Sequence, residues 1–429
     1  MKLSRLAALA AAAMIAASPA LADLNVPALN YRTGPYAPSG IPYADGFSDY
    51  MTLLNERDGG VGGERINVME CETAYNTQKG VECYEALKGE NPLVFIPQST
   101  GITYQLIPKA SADGIPVHSM AYGRTSAVNG KVFEWVFIMP GTYWDAASMM
   151  VKYAMEQEGG SLEGKKIALV YHNSAYGKEP IRTLEELAKK HGYELTLLAV
   201  DHPGQEQKSQ WLQIRRERPD YVFMWGWGVM NSVAVQEAAN IRFPMDKFIG
   251  VWWSGSEADV LPAGAGADGY KSITWHKPGA DFPAFEQIKT MVHDKGLAAG
   301  DGTTIGQVGY NRGVYAAVIV TEAIKAAQEA TGKSNITAAD MRDAYETLTI
   351  TAERWAEIGL PEFAQPLQAS CEDHGAPHMG AIQQWNAKDK TWSLVSDFMT
   401  PDNDVVGPLI EEDSMAFAAE NNITPRTCQ

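Results

Sequence analysis

Short apolar runs alternate with helix-like patterns through most of this chain, and this alternation restricts the possible fold more than any other feature. Strand-like runs begin at Leu24, Arg65, Leu93 and Ile115, and amphipathic segments follow the first three of them. A repeat of ~25 residues is typical of a parallel sheet covered by helices on both faces. We therefore predict one complete α/β unit in the first part of the chain.

The alternation restarts after the Pro140-Gly141 pair. The pattern predicts a long helix at 143–157. Strands separated by helices follow at 166–171, 194–200, 221–224, 248–252 and 271–275. Later helices are predicted at 281–294, 310–331 and 338–348, and a hairpin at 381–385 and 392–395.

A chain that finishes one α/β unit, builds a second and then adds further helices most simply passes between two lobes. The candidate crossings are 139–142, 275–278 and the loop after Leu360. We predict one lobe from residues 23–140 plus 276–360 and another from 141–275 plus 361–429. Ligands of open parallel sheets bind beyond the carboxyl ends of the strands, so a pocket is expected between the lobes.

The first residues have the pattern of a secretory signal peptide. Lys2 and Arg5 precede an uncharged stretch, and Ser18-Pro-Ala-Leu-Ala22 predicts cleavage after Ala22. The apolar core is too short for an anchor, and no later run of ~18 apolar residues occurs. We expect a free periplasmic protein, because no cysteine directly follows the cleavage site. The formal charge of −17 makes nucleic acid and acidic membranes poor partners.

Four cysteines, an even number, suit an oxidising compartment. Their separations favour the disulfides Cys71–Cys83 and Cys371–Cys428, the second of which would tie the C-terminal tail to the fold. A metal site is the alternative, because Asp373, His374 and His378 lie close to Cys371 in the sequence. The spacing does not match a standard zinc pattern, and Gly375 and Pro377 would break a helix aligning the histidines, so we predict no metal.

The stretch from Leu93 to Pro108 combines a buried strand, a Ser99-Thr100-Gly101 corner and a helix. A helix start presents unpaired N–H groups and the positive end of the helix dipole, so the two hydroxyls suit a carboxylate or another small anion. The alternative is a plain N-cap, in which a hydroxyl only satisfies the helix's own amides.

Residues just after the predicted strands mix aromatic rings with short hydroxyl side chains. They fall in 31–36, 98–100, 120–124, 140–144, 172–176, 225–227 and 252–254. Aromatic walls with a few polar groups describe a small-molecule pocket, although core packing explains any single tryptophan equally well. Arg124 can pair with an anionic ligand or brace the lobes.

Five motifs together resemble the periplasmic substrate-binding proteins of branched-chain amino acid type ABC importers. They are Tyr31-Arg-Thr-Gly-Pro-Tyr-Ala-Pro-Ser-Gly40, Ser99-Thr-Gly101, Ile115-Pro-Val-His-Ser119, Tyr171-His-Asn-Ser-Ala-Tyr-Gly177 and Tyr310-Asn-Arg-Gly-Val-Tyr-Ala-Ala317. The resemblance covers almost all of the mature chain. It implies a type I periplasmic binding protein with two Rossmann-like lobes and three hinge crossovers. It also implies hinge closure on a small ligand, delivery to a membrane permease and no cofactor.

The resemblance also implies the roles of individual residues. Ser99 and Thr100 would hold a carboxylate, Tyr176 would close over the ligand, and Trp225 or Trp227 would supply a second aromatic wall. The candidate ligand-contacting residues are Tyr36, Ser99, Thr100, Ser119, Tyr122, Tyr143, Tyr176, Trp225, Trp227, Trp253, Ser254 and Glu257.

One departure from the family pattern concerns the ligand. Amino acid binders place an acid after the strand that ends here at Trp252, to pair with the α-ammonium. This chain has Trp253-Ser-Gly-Ser-Glu257, so Glu257 is that acid displaced, or Ser254 takes its place and the acid is gone. In the second case a buried ammonium would lack a counter-charge, and an aromatic or apolar carboxylate or a small amide would fit better.

Two other classes of function are alternatives. Catalysis would need a tuned acid or base, and only His172 and Glu257 are obvious candidates, neither of them in a catalytic motif. A receptor module that signals its bound state to a sensor would share every feature described above. We expect a monomeric, non-enzymatic binding protein.

Overall fold

The computed structural model describes residues 24–428, so the predicted signal peptide lies outside the described residues. Fourteen strands are described: β1 Leu24–Asn30, β2 Ile66–Glu72, β3 Ile96–Pro97, β4 Val117–His118, β5 Val136–Phe137, β6 Lys166–His172, β7 Glu194–Val200, β8 Tyr221–Trp225, β9 Phe248–Gly250, β10 Lys271–Thr274, β11 Thr349–Ile350, β12 Leu367–Gln368, β13 Ala381–Asn386 and β14 Thr391–Leu394.

The described α-helices are α1 Ala37–Arg57, α2 Thr77–Leu87, α3 Thr100–Asp113, α4 Tyr143–Gln157, α5 Ala175–Lys178, α6 Ile181–His191, α7 Lys208–Glu217, α8 Val229–Asn240, α9 Glu257–Val260, α10 Pro283–Ile288, α11 Val308–Thr331, α12 Ala338–Glu346, α13 Ala352–Glu357 and α14 Asn403–Glu420.

The first sheet has the order β2-β1-β3, with all pairs parallel, and a parallel β4–β5 pair continues it. A single bridge between Phe95 and Val117 joins the two parts. Leu93, Val94 and Phe95 are buried as predicted, but the ladder to β1 covers only Ile96 and Pro97. The amide of Leu93 also bonds the carbonyl of Asn25 in β1, whereas the amide of Phe95 bonds the carbonyl of Pro116, so the apolar run lies between β1 and the following strand.

The second sheet has seven strands in the order β14-β13-β10-β9-β8-β6-β7. Strands β6 to β10 pair in parallel, and the predicted hairpin β13–β14 adds antiparallel strands at one edge. The predicted α/β fold with two Rossmann-like sheets is therefore confirmed.

The chain passes three times between the sheets, and the three passages lie side by side. The first passage connects β5 to β6. On it, the carbonyl of Pro140 accepts a hydrogen bond of 3.2 Å from the amide of His378, which lies on the third passage. On the second passage the amide of Lys277 donates to the carbonyl of Phe363, 2.7 Å away. These passages match the predicted crossings. The predicted division into two lobes, each made of two chain segments, stays a prediction.

Helices α1 and α11 pack closely enough to exclude side chains at their contact. A methyl group added at Gly46 would lie 2.1 Å from the carbonyl oxygen of Tyr310, and one at Gly313 would lie 2.0 Å from that of Tyr43. Glycine at both positions lets the backbones meet, which fixes the helices beside the first sheet.

Both predicted disulfides are present, with Cα atoms 5.9 Å apart in Cys71–Cys83 and 5.6 Å apart in Cys371–Cys428. Cys371 is thus consumed, and within residues 24–428 no three His, Cys, Asp or Glu side chains are placed to hold a metal ion. No helix of this part of the chain is both long and apolar enough to cross a bilayer.

The tail forms helix α14, which the sequence pattern did not reveal. It contacts α4 and α6, which flank the second sheet, and also the segment Thr125–Val128, which follows the first sheet's fourth strand. Arg124 pairs with Asp413 of this helix at 2.6 Å. Arg124 therefore ties the tail helix to the segment that follows β4, and its predicted role between the lobes stays a prediction.

Candidate functional site

A cavity lies between the two sheets, beyond the carboxyl ends of their parallel strands. It contains about 260 Å³ of space not filled by protein atoms. Six wall residues follow strands of the first sheet and four lie on the side of the second: Tyr31, Tyr75, Gln98, Ser99, Thr100 and Tyr122, and Tyr143, Tyr176, Trp227 and Trp253.

The first polar feature of the wall is the start of α3. Ser99 is the N-cap, and its hydroxyl oxygen accepts a long hydrogen bond of 3.5 Å from the amide of Ile102. The hydroxyl of Thr100 lies 2.8 Å from that of Tyr143, the first residue of α4. The capping interpretation is therefore correct for Ser99, whose hydroxyl also belongs to the cavity wall.

The indole walls are held in place by a hydrogen-bonded turn. The hydroxyl of Ser254 donates to the carbonyl of Gly226 at 2.8 Å and accepts from the Gly226 amide at 3.1 Å. The phenol of Tyr176 donates to the same carbonyl at 2.8 Å. Gly226 precedes Trp227, whose ring meets that of Trp253 edge to face with centroids 5.4 Å apart. This turn fixes the two tryptophans against each other.

Direct contacts between the two sides close the cavity. The indole N–H of Trp253 points to the carbonyl of Ala121 at 3.4 Å. Farther out, the Tyr36 phenol lies 2.9 Å from Nε2 of His172. Burial lowers the pKa of His172 to about 3, so its imidazole is neutral and can exchange a hydrogen bond with this phenol.

A buried carboxyl group forms another such contact. Glu179 accepts hydrogen bonds from the hydroxyls of Tyr104 and Thr125, the latter at 2.9 Å. Burial raises the pKa of Glu179 to about 7. The site is thus in a closed arrangement, with its two sides joined at several points.

Comparison with known proteins identifies this architecture. A family model described as periplasmic binding protein matches residues 23–390. The chain belongs to the periplasmic binding protein family.

Individual relatives agree with this assignment. A crystal structure described as an ABC transporter permease from the Pseudomonas fluorescens group has 39% identity and a TM-score of 0.87, and covers 95% of this chain and 100% of its own. A branched-chain amino acid ABC transporter protein from Thermus thermophilus, solved with bound valine, has 20% identity and a TM-score of 0.76, covering 90% of this chain and 98% of its own. The latter shows the fold alone.

Among curated proteins, Leu/Ile/Val-binding protein homolog 7 of Brucella suis is 26% identical over 242 residues, which is 54% of this chain and 60% of that protein. This periplasmic binding protein therefore spans about 60% of the length of such curated relatives.

The structure brings seven of the twelve predicted site residues of this periplasmic binding protein into the cavity wall. They are Ser99, Thr100, Tyr122, Tyr143, Tyr176, Trp227 and Trp253. The other five, Tyr36, Ser119, Trp225, Ser254 and Glu257, lie outside the wall. Tyr36 and Ser254 make the contacts described above, and Trp225 is fully buried 6.0 Å from the Tyr143 ring. Ser119 bonds the Thr103 hydroxyl at 2.9 Å.

Glu257 accepts a hydrogen bond of 3.0 Å from the amide of Val308, the first residue of α11. Burial raises the pKa of Glu257 to about 7. The carboxyl group thus serves the start of a 24-residue helix, where the helix dipole favours a negative charge.

Three wall residues were not among the predicted contacts. Gln98 and Tyr31 belong to strand-end segments that the sequence analysis did single out. Tyr75 gave no signal, because it follows Ala74 in a turn where both residues have positive φ, 50° and 59°. Two successive non-glycine residues rarely adopt this conformation, and the amide of Tyr75 is held by the hydroxyl of Thr73 at 3.2 Å.

Proposed function

We propose that this protein is the solute-binding component of an ABC importer, which captures a small molecule between two lobes in the periplasm and delivers it to a membrane permease. The observation that carries the proposal is the cavity between the sheets, whose wall comes from both sides of the gap. A pocket built in this way exists only when both sides meet.

We further propose that the lobes comprise residues 23–140 plus 276–360 and 141–275 plus 361–429, and that they open and close about the three passages. The contacts of Pro140 with His378 and of Lys277 with Phe363 hold these passages together and support a common hinge. A ligand that touches both sides would favour the closed form, because it loses half of its contacts when the lobes open.

In this proposal the polar end of the ligand lies at Ser99 and Thr100, and Tyr122, Tyr176, Trp227 and Trp253 enclose its body. Tyr143 joins the two groups through its bond to Thr100. Helix-start interactions contribute ~0.3–2 kcal/mol, so burial of apolar surface against the rings would supply most of the affinity. Tyr36, Ser119, Trp225 and Ser254 act by supporting the wall.

The ligand is small and carries a carboxylate or an amide. The Thermus thermophilus protein of the same fold holds valine, which has the size and the carboxylate expected here. We propose a monomer without enzymatic activity that binds no nucleic acid. His172 and Glu257, the two candidates for acid-base catalysis, both lie outside the cavity wall.

A thermal-shift ligand screen tests whether the protein captures a solute. The protein is first unfolded and then refolded, because this treatment removes ligand retained during purification. Amino acids, aromatic acids and short amides are the compounds to screen. Small-angle scattering should then show a decrease in the radius of gyration with any ligand that binds. Absence of compaction with every binding compound would contradict the proposal.

Transport is tested in a strain that contains or lacks the neighbouring permease genes. We expect uptake of the ligand to require both the permease and this protein. Persistent uptake without the permease, together with a ligand response in a partner sensor, would instead identify a receptor module.

A further inference from the structure

The cavity wall contains no charged side chain. Its ten residues are five tyrosines, two tryptophans, a glutamine, a serine and a threonine. Burial raises the pKa of the wall tyrosines well above 10 at Tyr31, Tyr122, Tyr143 and Tyr176, so these phenols are neutral at physiological pH. A charged group on a ligand must therefore be stabilised by uncharged donors or acceptors.

The acids nearest the wall are already occupied. Glu257 accepts from the amide of Val308. Asp259, which is buried, accepts from the Asn231 amide at 3.0 Å and from the hydroxyl and amide of Ser256 at 2.8 Å. Arg312 lies against the ring of Trp253, with its guanidinium carbon 5.1 Å from the ring centroid. Glu257, Asp259 and Arg312 all lie outside the wall, so neither carboxylate faces the cavity as a counter-ion for a ligand ammonium.

Several polar atoms of the wall have no partner among residues 24–428. They are both polar atoms of the Gln98 carboxamide, the phenol oxygen of Tyr122 and the indole N–H of Trp227. Gln98 is 3% exposed, so these atoms are removed from water and need a ligand or an ordered water. Burying such groups without a partner is unfavourable, so a ligand that pairs with them gains affinity.

Donors outnumber acceptors in this set. The Trp227 indole can only donate, and the Gln98 carboxamide has two hydrogens. The first amides of α3, at Thr100 and Gly101, precede the first bond within the helix. The free acceptors are one amide oxygen and one phenol oxygen, both uncharged. An ammonium needs three acceptors, whereas a carboxylate needs donors at both of its oxygens.

We propose that the ligand is a small aromatic carboxylate without an amino group, held with its carboxylate at the start of α3 beside Gln98 and its ring among the tyrosines and tryptophans. This inference rests on the proposed function and specifies its ligand. Gln98, Ser99 and Thr100 are adjacent in the chain, and aromatic residues form the rest of the wall. The seven aromatic rings of the wall provide flat apolar surfaces that favour stacked or edge-on packing of that ring.

Three probes that differ only at one group test the inference by calorimetry on refolded protein: phenylacetate, phenylacetamide and L-phenylglycine. Replacing one hydrogen of phenylacetate by an ammonium gives phenylglycine, and replacing the carboxylate by an amide removes the charge. We expect phenylacetate to bind at least ~100-fold more tightly than phenylglycine, because the ammonium would be buried without a counter-charge. We expect it to bind ~10-fold more tightly than the amide.

Gln98→Glu is the matching variant, because it places an acid in the wall. It should reverse the order of the affinities, so that phenylglycine binds more tightly than phenylacetate. Gln205→Glu, at an exposed position, should leave that order unchanged. Thermal unfolding of both variants checks that they fold. If Gln98→Glu does not fold, Gln98→Leu replaces it and should weaken phenylacetate ~10-fold.

The outcomes separate this inference from the proposed function. Tighter or equal binding of phenylglycine, or of the amide, would overturn the inference while leaving solute capture intact. Failure of all three probes would also overturn it if another solute binds and compacts the protein. If no solute in the screen binds, the proposed function itself fails.

Discussion

The hydroxyl of Thr100 and the phenol of Tyr143 lie 2.8 Å apart at the first residues of α3 and α4. Thr100 follows a strand of the first sheet, and Tyr143 lies just beyond the first passage between the sheets. One hydrogen bond thus joins the polar end of the cavity to the opposite side of the gap. In the proposed binding mode, ligand contact and closure would share these two residues.

Tyr143→Phe removes this bond and keeps the ring. We expect ligand affinity to fall ~3- to 10-fold, the effect of one net hydrogen bond, with little change in the unfolding temperature. Calorimetry with the tightest-binding ligand of the screen measures this change in affinity. Tyr153→Phe on the same helix is the control, since Tyr153 does not line the cavity. Equal affinities of the two variants would show that the bond is irrelevant to binding.

Trp227→Ala should weaken every ligand that closes the cavity by at least ~100-fold, because it removes a wall between Tyr31 and Trp253. Trp211→Ala provides the contrast. Trp211 is fully buried against Phe248, away from the cavity, so its loss should lower the unfolding temperature by several degrees and leave affinity unchanged. Ligand affinity and unfolding temperature are measured by calorimetry for both variants. If Trp227→Ala and Trp211→Ala changed affinity and unfolding temperature alike, the site assignment would be wrong.

His378 lies on the third passage between the sheets and bridges two carboxyl groups. Its Nδ1 lies 2.6 Å from Asp145 and its Nε2 2.9 Å from Asp373. Burial alone would lower the pKa of His378, but the two carboxylates outweigh it and raise the pKa well above the ordinary 6.5. The protonated imidazole therefore belongs to the folded state.

We expect His378→Gln to lower the free energy of unfolding by ~1–3 kcal/mol, because the buried carboxylate of Asp145 and the partly exposed carboxylate of Asp373 lose their shared cation. A raised histidine pKa gives a contribution that is complete below pH 6.5 and declines as the pH rises toward the folded-state pKa. The difference between wild type and variant in urea unfolding should thus shrink from pH 6.5 to 9. A constant difference across that range would exclude an ionic role.

The two disulfides should differ in their effect on stability. Cys371 and Cys428 are 57 residues apart and Cys71 and Cys83 are 12 apart. A chain-entropy model gives ~4 kcal/mol for the longer loop and ~3 kcal/mol for the shorter. We expect replacement of Cys371 and Cys428 by serine to be the more destabilising change in urea unfolding. The opposite order would mean that the tail contributes little to folding.

Local patterns in the sequence were sufficient for most of the elements. Helix α4 begins and ends where predicted because Thr142 and Asp145 form a capping box that depends on four successive residues. Strand β7 likewise matches its predicted bounds. Helix α14 escaped prediction, since its buried residues are few and its position depends on partners such as Arg124, far away in the sequence.

The candidate site divides in the same way. Residues at strand ends were identified because parallel strands carry their functional loops at one edge. Five of the twelve candidates lie outside the wall, because entry into the cavity depends on bonds between distant segments, as between Ser254 and Gly226. Glu257 is the clearest case, since its partner, the amide of Val308, is 51 residues away.

Sequence patterns alone were enough for the α/β class, the order of most elements, the disulfide pairs and the helix start at Ser99. These features depend on periodicity, capping and chain separation, which act over short distances along the chain. Only the tertiary structure decided the composition of the cavity wall, where Tyr75 enters through a left-handed turn and Glu257 is excluded. The reason is that a buried polar group takes the partner that packing brings within hydrogen-bond distance, and that partner is set by the whole fold.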